Sequence, residues 1–249
     1  MFAKYEVKAT LFFTGAFASA HPQLLCEAYG LGHEIGCHGL KHGLDTEENF
    51  AAKVAYATQK DLIQTSTDIL NQITGSSIQC FRAPYLKICD TTFKVLAELA
   101  YKIDSSLPSM RFDFGCGSIC SLQHFAKSCH PHFICVEHTK LLEIPPSAWI
   151  IPLNMRMLRS FPFVISRSFL RLLTAIHNPL VFYMHPAEIT NKADVIVPEN
   201  ATPGFYRNCG VQHFRTLELM LKCLRDKGIR SETMAYTYRK KGALDYNYD

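Results

Sequence analysis

Short apolar runs separated by amphipathic segments predict alternating strands and helices in the first hundred residues. The strand-like runs, rich in β-branched and aromatic side chains, are residues 7–14, 33–37, 78–81 and 101–104. Apolar positions recur at helical spacing in residues 22–29, 45–74 and 91–99. Asp45 followed by Glu48 resembles a capping box and is expected to begin the long helix. Gly75 is expected to end it, because glycine readily adopts the left-handed conformation of a C-cap.

The second half of the chain is less regular. Residues 108–152 are rich in Cys, His, Gly and Pro and are predicted to form loops with short strands. Further on, the pattern predicts helices over residues 166–176 and 211–226 and strands over 180–184 and 232–235. Strands that alternate with helices indicate a parallel α/β sheet or barrel. Because no repeat or linker is evident, we expect residues 1–249 to form a single domain.

Composition excludes several classes of protein. A content of 48% hydrophobic and 19% charged residues is that of a folded globular chain. The net charge of +4 is mild and no basic stripe is present, so we expect no nucleic-acid partner. No run approaches the roughly 20 apolar residues of a membrane span. The ten cysteines follow no disulfide framework and charged residues interrupt the first apolar run, so we expect a cytoplasmic protein.

Polar residues with possible chemistry follow the predicted strands. His38 and His42 come after one strand, and if this segment is helical their spacing places both imidazoles on one face, near enough to share a metal. Arg82, Pro84 and Tyr85 come after the next, where a guanidinium could be fixed beside a carboxylate or a substrate oxygen. The alternative for the two histidines is that their spacing is coincidental. The alternative for Arg82 is a surface residue that precedes a turn.

His185 follows the apolar run at residues 180–184, and Pro186 restricts the backbone after it. An imidazole in this position suits general acid–base chemistry near neutral pH. The alternative is a core histidine bonded to a backbone carbonyl.

A second group of possible metal ligands lies in a short stretch of the irregular region. Its members are Cys116, Cys120, Cys129, Cys135, His130, His132 and His138. They could bind a structural zinc, but no CxxC pair is present, so ordinary thiols remain the alternative.

Six motifs in order resemble the polysaccharide deacetylase (NodB-homology) family, and within it the branch associated with exopolysaccharide loci. They are KATLFFTG, GHEIGCHGLKH, FRAPY, YKIDSS, LLEIPPS and PLVFYMHPAEI, and the resemblance as a whole runs from about Lys8 to Tyr236. The resemblance implies a distorted (β/α) barrel that hydrolyses N-acetyl groups on a carbohydrate with a divalent metal, usually Zn²⁺.

The resemblance also implies roles for single residues. His38 and His42 match the two metal-binding histidines, and the backbone N–H of Tyr85, after Pro84, matches a donor to the substrate oxyanion. Three further residues match catalytic positions. They are Arg82, which would steady the catalytic base, His185, the general acid, and Asp104, a supporting acid.

One family motif has no counterpart. An Asp-Asp pair that supplies the base and the third metal ligand would lie upstream of Val7. We therefore expect an N-terminally incomplete domain without its first strand, with weakened metal binding and impaired activity. The alternatives are an allantoinase-like amidohydrolase acting on a small amide, and a non-catalytic remnant that binds carbohydrate.

Overall fold

The computed structural model describes residues 1–43, 48–50, 54–110, 128–191, 193 and 209–245. They form a mixed α/β fold that divides into two compact units. The sheet unit comprises Val7–Leu107, Pro131–Ile144 and Ser231–Asp249. The helical unit comprises Met1–Glu6, Pro108–His130 and Pro145–Arg230. The expectation of a single domain stays a prediction.

The sheet unit is built on a six-stranded sheet. Its strands are β1 (Thr10–Phe13), β2 (Glu34–Cys37), β3 (Cys80–Phe81), β4 (Ile103–Asp104), β5 (His132–Val136) and β6 (Thr139–Glu143). The spatial order is β1-β2-β3-β4-β6-β5, and every neighbouring pair is parallel except β5 with β6. All four strands predicted in the first hundred residues are confirmed, each shorter than its apolar run. Their carboxyl ends meet at one edge, where α/β folds place their functional residues.

Eight α-helices occur among the described residues. They are α1 (Gly15–Ala20), α2 (Pro22–Gly30), α3 (Tyr56–Thr74), α4 (Asp90–Glu98), α5 (Met155–Ser160), α6 (Phe163–Ile176), α7 (His213–Arg225) and α8 (Met234–Asp245). In the sheet unit, Leu25, Ile63, Leu70 and Leu96 of α2 to α4 are fully buried in one apolar core with Phe81. This burial is what holds the helices against the sheet.

The long predicted helix begins later than expected, at Tyr56 instead of residue 45. Asp45 lies outside the described residues, while Glu48 is buried and its carboxylate accepts backbone N–H groups from residues 40 and 41. The expected capping box with Glu48 is therefore wrong, because this side chain is used to hold a preceding loop. The predicted stop is confirmed, with Gly75 at a φ of 65°.

The predicted strand over residues 180–184 forms only one bridge, between Asn154 and Tyr183. Ser147 binds the backbone of this segment twice, since the Val181 N–H donates to Ser147 Oγ at 2.8 Å and the Val181 carbonyl accepts from the Ser147 N–H at 3.0 Å. A short two-stranded ladder, β7 (Ala148–Trp149) with β8 (Ile151–Pro152), lies nearby in sequence.

The predicted strand over residues 232–235 is wrong, because α8 begins at Met234. Two side chains of the sheet bind the first N–H groups of this helix. Thr10 Oγ1 accepts from Met234 at 3.0 Å, and Glu34 Oε2 accepts from Ala235 at 3.1 Å. Such acceptors replace the partners that the first turn of a helix lacks.

None of the helices in the described part of the chain is long and apolar enough to cross a membrane. The cysteines described there, at positions 26, 37, 80, 89, 129, 135, 209 and 223, are all free thiols.

Candidate functional site

The His38 segment is an irregular loop and not a helix. Gly39 has a φ of 75° and His42 a φ of 58°, both in the left-handed region, which a right-handed helix excludes. The loop nevertheless brings the two imidazoles together, with ring centroids 4.8 Å apart and planes tilted by 54°. The expected proximity of the two imidazoles is therefore found, but an irregular loop provides it instead of a helix.

Buried polar groups hold this loop. The Glu48 carboxylate accepts the N–H groups of Leu40 and of Lys41, the latter at 2.8 Å, and Ser66 Oγ on α3 donates to the Gly39 carbonyl at 2.7 Å. A Cβ on Gly39 would lie 2.7 Å from Glu48 Oε1, so the loop needs glycine both for its conformation and for its space.

Hydrogen bonding sets the tautomer of His38. Its Nδ1 lies 2.7 Å from the carbonyl oxygen of Arg82. Because a carbonyl can only accept, Nδ1 carries the proton and the lone pair belongs to Nε2. A backbone carbonyl on the second ring nitrogen is the usual partner of a metal-binding histidine.

His42 packs against the turn that follows β3. Its ring centroid is 4.5 Å from that of Tyr85, and the Tyr85 hydroxyl donates to the His42 carbonyl at 3.2 Å. Pro84 is buried at the start of this turn, and Tyr85 has a left-handed φ of 56°. Loop and turn therefore support each other.

Arg82 is a buried residue and not the surface arginine that was the alternative reading. Its guanidinium donates from Nε to the Ser105 carbonyl at 3.0 Å and from Nη2 to Ser105 Oγ at 2.6 Å. The same group lies 4.5 Å from the centroid of the Phe12 ring. The forked hydrogen bond and the aromatic ring together fix the orientation of the charged guanidinium group.

Asp104 supports this turn indirectly. It is fully buried and accepts from the backbone N–H of Ser106 at 3.1 Å and from Ser106 Oγ at 2.6 Å. Ser106 Oγ in turn accepts from the Ala83 N–H at 2.8 Å. The hydroxyl of Ser106 therefore links Asp104 to the backbone of Ala83, the residue after Arg82.

Sequence reasoning missed Glu143, which stands opposite Asp104 in the β4–β6 register and is also fully buried. Burial raises the pKa of both carboxyl groups, and the negative Asp104 raises the pKa of Glu143 further. The available signal was an acidic residue that ends an apolar strand at the same edge as Asp104. Glu48 was missed as a loop-binding residue because its role depends on contacts that spacing does not reveal.

His185 lies in the helical unit. The Glu188 carboxylate accepts from its backbone N–H at 2.9 Å and lies 3.3 Å from its Nδ1. Glu188 is buried and its other oxygen lies 3.4 Å from Nε of the buried Arg159. The imidazole itself is 42% exposed, which excludes the alternative of a core histidine. Its placement beside His38 and His42 stays a prediction.

The two imidazoles of His38 and His42 suit a divalent metal by donor type and by the tautomer of His38. Among the described residues, however, no group of three His, Cys, Asp or Glu side chains could hold an ion. This portion of the chain therefore offers two of the three protein ligands typical of catalytic zinc. In the second predicted cluster, Cys116 and Cys120 lie outside the described residues, and the remaining members form no such group of three.

Known proteins provide an independent comparison. Residues 1–103 match the family model for polysaccharide deacetylase. A stretch of 114 residues is 29% identical to the peptidoglycan deacetylase of Helicobacter pylori, and it covers 46% of this chain and 36% of that protein. The match thus spans little more than a third of the length of this curated relative.

Solved structures share the fold. A protein of Mycobacterium smegmatis, provisionally assigned as a polysaccharide deacetylase, superimposes with a TM-score of 0.64 at 17% identity, over 98% of this chain and 75% of its own. A CE4-family pseudoenzyme of Bacillus anthracis superimposes with a TM-score of 0.56 at 12% identity, over 95% and 57%. At these identities the likeness concerns the fold alone.

The parallel sheet, with its polar residues at the carboxyl edge, thus has the mixed α/β fold of the CE4, NodB-type proteins. The resemblance to the polysaccharide deacetylase family that the motifs predict is confirmed by the match of residues 1–103 to the family model. The assignment to the exopolysaccharide branch stays a prediction.

Proposed function

We propose that this chain is a metal-dependent hydrolase that removes N-acetyl groups from a carbohydrate. The family match of residues 1–103 supports the reaction class. The observation that carries the proposal is the hydrogen bond from His38 Nδ1 to the Arg82 carbonyl, with the His42 ring beside it. This arrangement prepares an imidazole pair for a cation.

His38 and His42 would hold the ion, for which we propose Zn²⁺. When bound, such an ion polarises an amide carbonyl and lowers the pKa of a water molecule. The other roles belong to the chain. Arg82, with its direction fixed by Ser105, would steady an anionic base.

We further propose that the backbone N–H of Tyr85 binds the oxyanion of the tetrahedral intermediate, since the buried Pro84 and a left-handed φ set the course of this turn. His185, oriented by Glu188, would donate a proton to the leaving amine. Asp104 would support Arg82 through the two serines that follow it.

For the substrate we propose an N-acetylated oligo- or polysaccharide. The support is the name of the Helicobacter pylori relative, a peptidoglycan deacetylase. The test is acetate release from N-acetylglucosamine oligomers and from peptidoglycan, with and without added Zn²⁺, and with allantoin as the substrate of the alternative amidohydrolase.

The decisive variant is His38→Ala, with His21→Ala as the control, because His21 is exposed and precedes α2. We expect His38→Ala to lower kcat/KM by at least about a hundredfold, a typical consequence of losing a metal ligand or its support. Equal activity of His38→Ala and His21→Ala would contradict the proposed site.

A second candidate is a non-catalytic carbohydrate-binding protein. It is favoured by the described donor set, which provides two ligands and no third. Calorimetry with N-acetylglucosamine oligomers separates the two functions, since binding without acetate release in Zn²⁺-supplemented buffer would support the second.

A further inference from the structure

We propose that one proton is held between Glu143 and Asp104, and that Glu143 thereby positions the turn that carries Arg82. The catalytic consequence of this inference rests on the proposed deacetylase function. The proton and its structural effect do not, since they follow from buried groups of the sheet unit.

The charge balance at this edge of the sheet requires a proton. Asp104 and Glu143 are register partners on neighbouring parallel strands, and neither side chain is accessible to solvent. Among the residues that the structure describes, the Arg82 guanidinium acts as a positive charge on both carboxyls. Two buried carboxylates beside one guanidinium leave an uncompensated negative charge, which proteins avoid by keeping one acid neutral.

The hydrogen bonds place that proton on Glu143. Both oxygens of Asp104 already accept, Oδ1 from Ser106 Oγ and Oδ2 from the Ser106 N–H. Glu143 Oε1 accepts from the Leu107 N–H at 3.1 Å, whereas Glu143 Oε2 is buried and receives no donor. If Glu143 is protonated, it can donate to the Asp104 carboxylate, so the orphaned oxygen gains a partner.

A short chain of contacts leads from this pair to the turn. Ser105 and Ser106 follow Asp104 directly, and they hold the Arg82 guanidinium and the Ala83 N–H, respectively. Ser105 Oγ also donates to the carbonyl of Ile144, the residue after Glu143, at 2.6 Å. Loss of the carboxyl pair would therefore loosen both serines, the one that holds Arg82 and the one that holds the N–H of its neighbour Ala83.

Three variants test where the proton lies. Glu143→Gln keeps a donor toward Asp104 and an acceptor for Leu107, so its Tm should stay within about 3 °C of wild type. Glu143→Leu leaves Asp104 charged and without its partner, so its Tm should fall by on the order of 10 °C. The Tm of Asp104→Asn should fall by a similar amount, because the amide nitrogen would face a Ser106 donor.

Infrared spectroscopy gives a readout that stability alone would not move. Wild type at neutral pH should show the C=O stretch of a protonated carboxyl group, and Glu143→Gln should lack it. Glu137→Gln, an exposed residue between β5 and β6, is the control and should keep the band. Absence of the band in wild type, or a Tm of Glu143→Gln as low as that of Glu143→Leu, would overturn the inference.

Acetate release supplies the catalytic part of the test. Glu143→Leu should lose at least about tenfold in kcat, and Glu143→Gln should recover most of that loss. If wild type released no acetate, the proposed function would fail, while the band and the order of Tm values would still decide the position of the proton.

Discussion

The Nδ1 atom of His38 lies 2.7 Å from the carbonyl oxygen of Arg82, so the residue after β2 is oriented by the residue after β3. The same arginine is held by Ser105, which follows β4. Three neighbouring strands thus contribute consecutive members of one hydrogen-bonded series. A change at any residue of this series should therefore alter the positions of the others.

Arg82→Lys should weaken this series although the charge is kept. An ammonium group cannot make the forked contact with Ser105, so one buried acceptor loses its donor. We expect the free energy of unfolding to fall by about 1–3 kcal/mol. Urea unfolding measures it, and Arg215→Lys on the exposed side of α7 is the control. Equal effects of the two substitutions would show that the fork contributes nothing.

Gly39→Ala should strain the histidine loop. The φ of 75° disfavours any side chain, and a Cβ would lie 2.7 Å from Glu48 Oε1. The expected loss of stability is about 1–3 kcal/mol. Gly30→Ala is a matched control, because its Cβ would meet nothing within 4 Å. If both variants unfold at the same temperature, the loop is less constrained than its conformation indicates.

Glu48→Gln should lower the affinity of the histidine pair for Zn²⁺. The amide can accept only one of the two backbone N–H groups and turns a donor toward the other. Calorimetric titration of Zn²⁺ should give a Kd at least about tenfold higher than in wild type. The control is Glu27→Gln, an exposed substitution on α2. An unchanged Kd would show that Zn²⁺ binding does not depend on the support that Glu48 gives to the loop.

Glu34→Gln should flatten the dependence of stability on pH. Burial raises the pKa of Glu34 in the folded chain, so between the usual glutamate pKa of 4.5 and this raised pKa the folded state binds more protons than the unfolded state. The free energy of unfolding therefore falls as pH rises from this value through the folded pKa. The slope loses up to about 1.4 kcal/mol per pH unit when the group is removed. Urea unfolding at several pH values measures this slope, and a slope equal to that of wild type would contradict the assignment.

The order of elements and the location of the site were predictable from the sequence. Apolar runs identify strands when both faces are buried, and residues placed after those runs reach one edge whatever the loop conformation. His38 and Arg82 were found in this way, whereas Asp104 was indicated by the family resemblance. Whether the segment from His38 to His42 is helical could not be decided from spacing, because spacing does not reveal the left-handed residues at 39 and 42.

The missed features depend on contacts between distant residues. Glu143 gains its significance from a register partner 39 residues earlier in the chain, and Glu48 from the backbone of a loop that local propensity does not describe. The wrong strand at residues 232–235 has a similar origin, since the N-terminus of α8 is bound by side chains of β1 and β2. Local patterns contain no signal for such partners.

The four-residue strand β2 contacts the C-terminal helix at one end and leads into the candidate site at the other. Glu34 at its beginning binds the first turn of α8, and Cys37 at its end precedes His38. At about 3.3 Å per residue, little more than 10 Å separates the anchoring of the C-terminal helix from the imidazole pair. The C-terminal helix and the candidate site thus depend on opposite ends of one short strand, so we expect loss of the Glu34 contact with α8 to disturb the strand that ends beside His38.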